Sequence, residues 1–478
     1  MSAYRFVMNG FKRLLGQAPN LPQPVSSLPP DQLVSHQPRI ISRGEHNISR
    51  KYINRNAVRV LYRLKEARFQ SFLVGGGVRD MLLGRIPKDF DIATDATPEE
   101  ISGLFRNCRL IGKRFRLAHV HFDEEIIEVA TFRARHNSHF KPDEDVENHD
   151  DQNRIFKNGR IVRDNIYGTF EEDAWRRDFT INALYYNIYD FSVVDYTGGV
   201  EDLNARLIRL IGDPLQRYQE DPVRMLRAIR FAAKLDFTIH PETAAPIYDM
   251  GRLLKDIPSA RLYEEVLKLF LSGHGWKSFE LLEQYKLLSY LLPHFEKYFS
   301  RSKDLIQAVL QNTDERKQQH LTVSPTFLFA ALLWTAVEET AKQLATEQSL
   351  NIFLALNEAA YSVTNQQHKR VAIPRRLILG MKEIWMTQPR LEQAWRSKKA
   401  LVLVNQPRFR AAFDFLVLRA KVNPDLKEIA DFWEMLFLAS PEHRPDLLNP
   451  PPIAQPTANK RKKRRRHPFK KRTTATID

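Results

Sequence analysis

Cysteine is almost absent from this chain of 478 residues, Cys108 being the only one. Neither an intrachain disulfide nor a cysteine-built zinc site can form, which fits a reducing compartment. Long apolar runs are also missing. The most apolar charge-free stretch, Leu321–Val337, contains Pro325 and falls short of the roughly 20 apolar residues that a spanning helix needs. No transmembrane segment is expected. Neither Gly-x-Gly-x-x-Gly nor Gly-x₄-Gly-Lys-[Ser/Thr] occurs, which argues against a dinucleotide-binding fold and a P-loop ATPase. His149-Asp150 has no partner histidine at helical spacing, so it reads as loop polarity and not as a phosphohydrolase metal site.

Acid is lacking in two places. Residues 1–30 carry Arg5, Lys12 and Arg13 with no acid, the makings of a transit peptide or a surface-binding helix. Pro22, Pro24, Pro29 and Pro30 favour instead a disordered basic extension. The second place is Lys460–Arg472, where Lys460, Arg461, Lys462, Lys463, Arg464, Arg465, Arg466, Lys470, Lys471 and Arg472 supply ten of the sixteen net positive charges. So local an imbalance suits an appended RNA-binding segment that contacts the phosphate backbone, with Phe469 available for stacking. From about Pro445 the chain turns Pro-rich and then Lys/Arg-rich, a composition that cannot bury a core and is expected to be a disordered tail.

The rest of the chain, 43% hydrophobic overall, is long enough for two or three domains. Ile53–Phe69 has helical spacing, with Val58, Leu61, Tyr62 and Phe69 on one face. Phe72-Leu-Val74 reads as a strand, followed by a triple glycine and a helix from Val78. Asp89–Ile92, Arg109–Ile111, Leu117–Phe122 and Ile126–Phe132 read as further strands, and Pro98–Phe105 as a helix capped by Thr97. Ala134–Arg160 is polar and reads as a long loop. Glu171–Tyr186, Pro222–Leu235, Ala260–Leu271, Gly275–Tyr285 and Thr326–Ala341 show helical periodicity. The expected fold is an α/β head, a small mixed sheet with helices, followed by all-α neck and body domains and the basic tail. The boundaries fall at 1–50 (extension), 51–190 (head), 191–255 (neck, expected to recognise the nucleotide base and bind RNA), 256–444 (helical, RNA-binding body) and 445–478 (tail).

Chemistry concentrates in four places. Leu73-Val-Gly-Gly-Gly-Val-Arg-Asp80 is a glycine-rich turn from strand to helix, where backbone amides can close on phosphate oxygens. In Lys88-Asp-Phe-Asp-Ile-Ala-Thr94, strand alternation puts Asp89 and Asp91 on one face. Two hard oxygen donors suit Mg²⁺, and a two-metal site can activate a 3′-hydroxyl and stabilise leaving pyrophosphate. Glu128, among apolar neighbours in Glu125-Ile-Ile-Glu-Val-Ala-Thr-Phe132, is a candidate third carboxylate; its bland alternative is an ion pair with Arg133. In Arg176-Arg-Asp-Phe-Thr-Ile-Asn182 the arginines Arg176 and Arg177 can grip triphosphate, and Asp178 and Asn182, four apart on the expected helix, can hold ribose hydroxyls. In Glu220-Asp-Pro-Val-Arg-Met-Leu-Arg-Ala-Ile-Arg-Phe231 a carboxylate (Asp221) beside guanidinium donors (Arg224, Arg227, Arg230) offers a pattern that could match a base edge. Asp221 also suits an N-cap with Pro222 at N1.

Together these motifs closely resemble the class II nucleotidyltransferases, which include the bacterial tRNA CCA-adding enzymes and poly(A) polymerases, over about residues 45–440. Leu110-Ile-Gly-Lys-Arg-Phe-Arg-Leu-Ala-His-Val120 and the basic tail resemble the poly(A) polymerase branch. The resemblance implies a head, neck, body and tail arrangement. It implies triphosphate contacts from Gly75, Gly76 and Arg79, and Mg²⁺ on Asp89 and Asp91. Asp178 would touch ribose or complete the acidic site, a choice left open against Glu128, and Asp221 and Arg224 would read the base. The implied activity is template-independent transfer of AMP from ATP to RNA 3′ ends, of mRNA or small RNAs, in the bacterial cytoplasm, promoting RNA turnover with RNA-degradation or RNA-chaperone proteins as partners. A tRNA CCA-adding enzyme is the alternative, and a non-catalytic RNA-binding protein is a third reading that intact carboxylates oppose.

Overall fold

The structure is a computed structural model that describes residues 37–112, 116–134 and 166–448 in full, and residues 154–157 and 160–164 as backbone. The basic segment 460–472, residues 1–30 and His149-Asp150 lie outside the described residues.

An eight-stranded mixed sheet organises the head. Its strands are β1 (Arg39–Ile41), β2 (Ser71–Val74), β3 (Asp91–Thr94), β4 (Cys108–Ile111), β5 (Leu117–Phe122), β6 (Glu125–Thr131), β9 (Leu184–Tyr186) and β10 (Val193–Asp195). They run in the order β1-β10-β9-β2-β3-β6-β5-β4. A separate hairpin, β7 (Arg154–Lys157) with β8 (Arg160–Asp164), falls at the end of the stretch that reads from sequence as loop. Every pair in the large sheet is antiparallel except β3 with β6. The parallel pair needs a crossover, which carries α3 (Pro98–Leu104), opened by a capping box between Thr97 and Glu100. The sheet draws β1 from the stretch assigned to the extension and β10 from beyond residue 190, so it reaches past both sequence boundaries of the head.

Alternation gives the sheet two different faces. Leu73, Ile92, Ile127 and Val129 point into the main core, where α1 (Arg55–Glu66) buries Ala57, Val60, Leu61 and Leu64. That helix is shorter than the expected 53–69, and Tyr62 sits on its exposed side. Phe72, Val74, Ala93, Phe132 and Tyr185 point the other way and form a small aromatic cluster with Phe170. Asp91 shares this second face with Ala93.

The largest correction to the sequence reading concerns Glu171–Tyr186. It is not one helix but α4 (Phe170–Arg176), a 3₁₀ turn at Thr180–Asn182, and strand β9. Helical periodicity holds up to Arg176. Beyond it, Leu184–Tyr186 pairs with β10 on one side and β2 on the other. Without it both strands would keep unpaired backbone groups inside the protein, and that requirement overrides a local preference.

Past residue 210 the described chain is helical, apart from a two-residue strand pair. The helices used below are α5 (Pro214–Glu220), α6 (Val223–Leu235), α7 (Ser259–Phe270), α8 (Gly275–Gln284), α9 (Phe295–Gln318), α10 (Pro325–Glu347), α11 (Ile352–Arg370), α12 (Arg375–Ala394), α13 (Phe409–Val422) and α14 (Lys427–Leu438). One continuous core runs from Ile41 in the head to Leu418 in the body. A second core, from Leu391 to Leu436, closes the C-terminal end around Trp433. Among the described residues no helix is long and apolar enough to cross a membrane.

The glycine turn is where backbone geometry matters most for the site. Gly75 takes φ 76° and ψ −134° as N-cap of α2 (Gly76–Leu82), a conformation that essentially only glycine adopts without strain. A Cβ on Gly77 would stand 3.2 Å from the Asp89 carbonyl oxygen, so that residue lets the turn close against the acidic segment. Gly75→Ala should therefore cost about 1–3 kcal/mol of stability, read as a lower midpoint at unchanged slope in urea denaturation, whereas Gly44→Ala, where nothing lies within 4 Å, should leave the midpoint nearly unmoved.

Candidate active site

Strand register brings the acids together. Asp91 opens β3, opposite Val74 of β2 on one side and opposite Glu128 of β6 on the other. Val74 leads directly into Gly75, so Asp91 stands next to the glycine turn. Asp89 lies two residues before the strand and not on it, as a strand over 89–92 would have had it. Asp91 is exposed at the start of β3, yet the protein crowded around its carboxyl partly desolvates it and raises its pKa to about 6, with repulsion from Glu128 and Asp89 adding to this and Arg177 opposing. Carboxylates close enough to repel one another form a set of oxygen donors that fits a hard divalent cation. Among the described residues no three acid, histidine or cysteine side chains are grouped so as to hold a metal ion by themselves. Such a set suits an ion that keeps waters and substrate oxygens as ligands, as Mg²⁺ does.

Glu128 does not sit in an apolar pocket. Alternation sends Ile127 and Val129 inward and leaves the Glu128 side chain about half exposed (49%). Among the described residues the basic side chain beside it is His119, with Nε2 3.3 Å from Oε1, and not Arg133.

Asp178 is drawn into different company. Its carboxylate accepts Nε of Arg227 at 2.7 Å and a shorter bond from Nη2 of the same guanidinium. It also accepts the Phe179 amide at 2.8 Å and Asn182 Nδ2 at 3.2 Å. The helix expected to align Asp178 with Asn182 does not exist, yet the 3₁₀ turn brings them into contact. Asn182 Oδ1 in turn accepts Nη1 of Arg79 at 2.6 Å. Arg79 is 2% exposed and donates through Nε and Nη2 to Asp80 at 2.8 and 2.7 Å. The sequence expectation has Arg79 gripping triphosphate, but its guanidinium is buried in this network, a placement that braces the glycine turn. Lys234 Nζ, 3.8 Å from Asp80, links the network back to α6, the helix that carries Arg227.

Arg176 and Arg177 are held by a residue that motif reading passes over. Asp173, 2% exposed, accepts Arg176 Nε at 3.1 Å, Arg177 Nη2 at 3.0 Å and Tyr185 Oη at 2.7 Å. Burial alone would raise its carboxyl, but Arg177 and Arg176 outweigh burial and hold it far below the usual carboxylate range. Nη1 of Arg177 lies 3.7 Å from where a Gly75 Cβ would be, so this guanidinium borders the turn. A second missed residue, Arg217 of α5, donates Nη2 to the carbonyls of Arg176 and Arg177 at 2.7 and 2.6 Å. The available sequence signal is Asp173 at i−3 and i−4 from the arginines; Arg217 carries none.

Asp221 and Arg224 are near in sequence but engaged separately. Asp221 ends α5, so it is not the N-cap of α6; its Oδ2 accepts Arg261 Nη2 of α7 at 2.6 Å. Arg224 Nη1 donates to Glu220 Oε2 at 2.8 Å, and that oxygen also takes Arg217 Nη1 at 2.9 Å. Arg261 and Glu220 thus hold the two candidate base readers from opposite sides.

Fold and site define a nucleotidyltransferase of the class that contains the CCA-adding enzymes. The Bacillus stearothermophilus CCA-adding enzyme in complex with CTP matches with a TM-score of 0.54 at 23% identity, covering 81% of this chain and 84% of that one, and shows the shared fold. Residues 71–209 match the family model described as the poly A polymerase head domain. Residues 236–299 match a probable RNA and SrmB-binding site of polymerase A, and residues 348–470 the polymerase A arginine-rich C-terminus. Poly(A) polymerase I of Salmonella typhimurium is 48% identical over 417 residues, 86% of this chain and 88% of that protein. Poly(A) polymerase I of Haemophilus influenzae is 41% identical over 455 residues, 94% of this chain and 98% of that protein. The chain belongs to the poly(A) polymerase I family, and it is a polynucleotide adenylyltransferase.

The Asp178–Arg227 pair has a measurable consequence. Arg227 and the hydrogen bonds outweigh burial and hold the Asp178 carboxyl at about 2, below its ordinary 3.8. A carboxyl depressed in the folded state contributes stability that is complete above its unfolded pKa and is lost as pH falls through the folded one. Stability should therefore decline between about pH 4 and 2. Asp178→Asn should flatten that acid limb in pH-dependent denaturation, while lowering neutral-pH stability by about 3–5 kcal/mol because Arg227 is deprived of its partly buried partner.

Proposed function

We propose that this chain extends RNA 3′ ends with AMP from ATP, without a template, on the sheet face that carries Asp91. The observation that carries the reading is the register placing Asp91 between the glycine turn and Glu128. In the proposed reaction the RNA 3′-oxygen attacks the α-phosphorus of ATP. The new P–O bond forms as the bond to the bridging oxygen breaks, the hydroxyl proton passes to solvent or a nearby carboxylate, and pyrophosphate leaves.

Asp89 and Asp91 would hold Mg²⁺, with Glu128 the nearer candidate for a third acid because Asp178 is committed to Arg227. Bound there, two such ions would make the 3′-hydroxyl a better nucleophile and neutralise charge on pyrophosphate. The amides of Gly75 and Gly76 and the guanidiniums of Arg176 and Arg177 would receive the triphosphate, with Asp173 and Arg217 fixing where those guanidiniums point. Asn182 and Asp178 would face the ribose, and Arg227 would orient Asp178. Asp221 and Arg224 would present the base-reading edge. Each has its own anchor, Arg261 and Glu220 respectively, which supports a reader with a single setting, as adenine-only addition requires. A CCA-adding enzyme must change its reader between CTP and ATP.

The reading further assigns residues 51–190, with β1 and β10 of the same sheet, to the head, 191–255 otherwise to a base-recognition and RNA-binding neck, 256–444 to a helical RNA-binding body, and 460–472 to RNA-backbone contact. The cellular role proposed is polyadenylation that promotes RNA turnover in the bacterial cytoplasm, together with RNA-degradation or RNA-chaperone proteins.

Three outcomes are expected. Asp89→Ala and Asp91→Ala should each lower Mg²⁺-dependent addition by orders of magnitude with an unchanged melting curve; near-native turnover at saturating Mg²⁺ would remove them from the metal site. On an unstructured primer the protein should add many residues from ATP and few from CTP. Efficient CTP-first repair of a tRNA lacking its CCA end, stopping at the final A, would instead establish the alternative enzyme. Deleting residues after Pro452 should weaken RNA binding and flatten the dependence of log K on log salt by about 0.7 for every phosphate that the tail neutralises, with the KM for ATP nearly constant.

A further inference from the structure

Between α9, α10, α12 and α13 of the body lies a cavity of about 510 Å³, within the range of roughly 300–1,000 Å³ that encloses a small ligand. Four cations line it: Arg316 of α9, Arg408 and Arg410 at the start of α13, and Lys421 near its end. Among the described residues Asp414 is the only acid in the wall. It pairs with Arg410 at 2.8 Å, and Arg408 pairs with Glu383. Arg316 donates to the Thr322 carbonyl at 3.2 Å, and neither it nor Lys421 has an ion pair among the described residues. Gathering like charges in a concavity is unfavourable unless an anion is to be received, because the low-dielectric walls concentrate their field.

Arg408 is held there against local preference. Its φ of 64° lies in the left-handed region that residues other than glycine rarely adopt. Its guanidinium rests against Gly380 of α12, where a Cβ would come within 3.0 Å of Arg408 Nη1 and 2.8 Å of Thr326 Cγ2. A glycine inside a helix is unfavourable, and here it leaves room for two residues of the cavity wall. The other walls narrow the choice of anion. Phe327, Ile384, Val417 and Leu418 form an apolar side, with the Phe327 ring set edge-on to Phe415 at 6.1 Å. A nucleoside polyphosphate uses both sides, its phosphates meeting the cations and its base covering the apolar wall. Inorganic phosphate or pyrophosphate would leave that wall in water. The apolar side offers no hydrogen-bond pattern to a base edge, so guanine and adenine nucleotides should bind alike.

We propose that this cavity is a second nucleotide site, which binds a free nucleoside di- or triphosphate that is not consumed, with Arg316 and Lys421 as its uncommitted cations. It lies apart from the sheet face that carries Asp91, and it does not depend on the reading of that face as the place of AMP transfer. A ligand there would tie α9 and α10 to α12 and α13 through its phosphates.

The test titrates full-length protein with GDP by calorimetry, without RNA. GDP is the probe because it carries no pyrophosphate leaving group and its base is not the one that the proposed reader accepts. Arg316→Gln with Lys421→Gln should raise the Kd for GDP about tenfold, the effect of losing two solvent-accessible ion pairs, and leave the KM for ATP in primer extension unchanged. ADP should show the same dependence on the two residues. The same charge change at Lys369 and Lys427, both exposed and outside the cavity, should leave GDP binding as in wild type. If the double variant does not fold, hydrogen exchange of the wild-type protein gives a second reading, with GDP protecting amides at 324–328 and 408–421. No effect of the cavity variants, an equal effect of the Lys369/Lys427 control, or protection confined to the head would overturn the proposal. So would pyrophosphate binding as tight as GDP, which marks a bare anion site, or cavity-dependent loss of single-stranded RNA binding with GDP binding unchanged. Extension of a primer with ATP by the wild-type protein is read separately, so failure of the second site and failure of the polymerase reading give different results.

Discussion

A closed ring of charge holds the candidate site in register with the rest of the molecule. It runs from Arg227 on α6 to Asp178, Asn182, Arg79 and Asp80, and returns to α6 at Lys234. Arg227, Phe231 and Lys234 fall at i, i+4 and i+7, so one face of one helix supplies both ends of the ring. The guanidinium carbons of Arg79, Arg227 and Arg230 stand 5.4, 5.4 and 4.6 Å from the Phe231 ring, which gives the three cations an aromatic surface as well as the acids. Three segments far apart in sequence, the glycine turn, the 178–182 turn and the neck helix, thereby share one buried network. Removing Asp178 leaves Arg227 without its carboxylate and removing Asp80 leaves Arg79 without its own, and that asymmetry makes such networks unforgiving.

The two faces of the sheet explain how a small head accommodates this network. One face is mostly apolar and carries the main core, with the buried polar side chains Ser71, Thr94, Thr131 and Asp195 among its residues. The other carries only the compact aromatic group around Phe72, Phe132 and Phe170, leaving room beside it for Asp91, Arg177 and the buried Asp173. Asp173 turns two neighbouring arginines, which would repel each other, into a fixed pair. Arg217 fixes the same stretch from the main-chain side. Desolvation penalises every one of these charges alone, and the pairing offsets that penalty.

The neck repeats the logic with separate anchors. Glu220 gathers Arg217 and Arg224, while Arg261 reaches from α7 to Asp221. Asp221 and Arg224 are thereby fixed to α7 and α5 respectively.

Much of this is legible in the chain. The glycine turn is set by residue type, because φ 76° at Gly75 admits little else. Strands β4, β5 and β6 and the helices expected at 222–235, 260–271 and 275–285 fall within a few residues of their periodicity, since each buries one side along its length; the five body helices α9 and α11 to α14 read only as a helical stretch without bounds. Asp89, Asp91 and the 176–182 run are visible as clustered charge beside apolar residues. What the sequence cannot state is partnership. Helical spacing over 171–186 is overridden because the sheet needs a strand at 184–186, and the Asp178–Asn182 contact arises from a 3₁₀ turn instead. Arg79 looks like a free cation in the sequence, yet it is buried by Asn182, 103 residues away. Asp173, Arg217 and Arg261 become significant only when folding sets their charged ends against the motifs. Residue type and period act over a few neighbours and can be read locally; the pairing of buried charges depends on which segments meet, and only tertiary structure decides that.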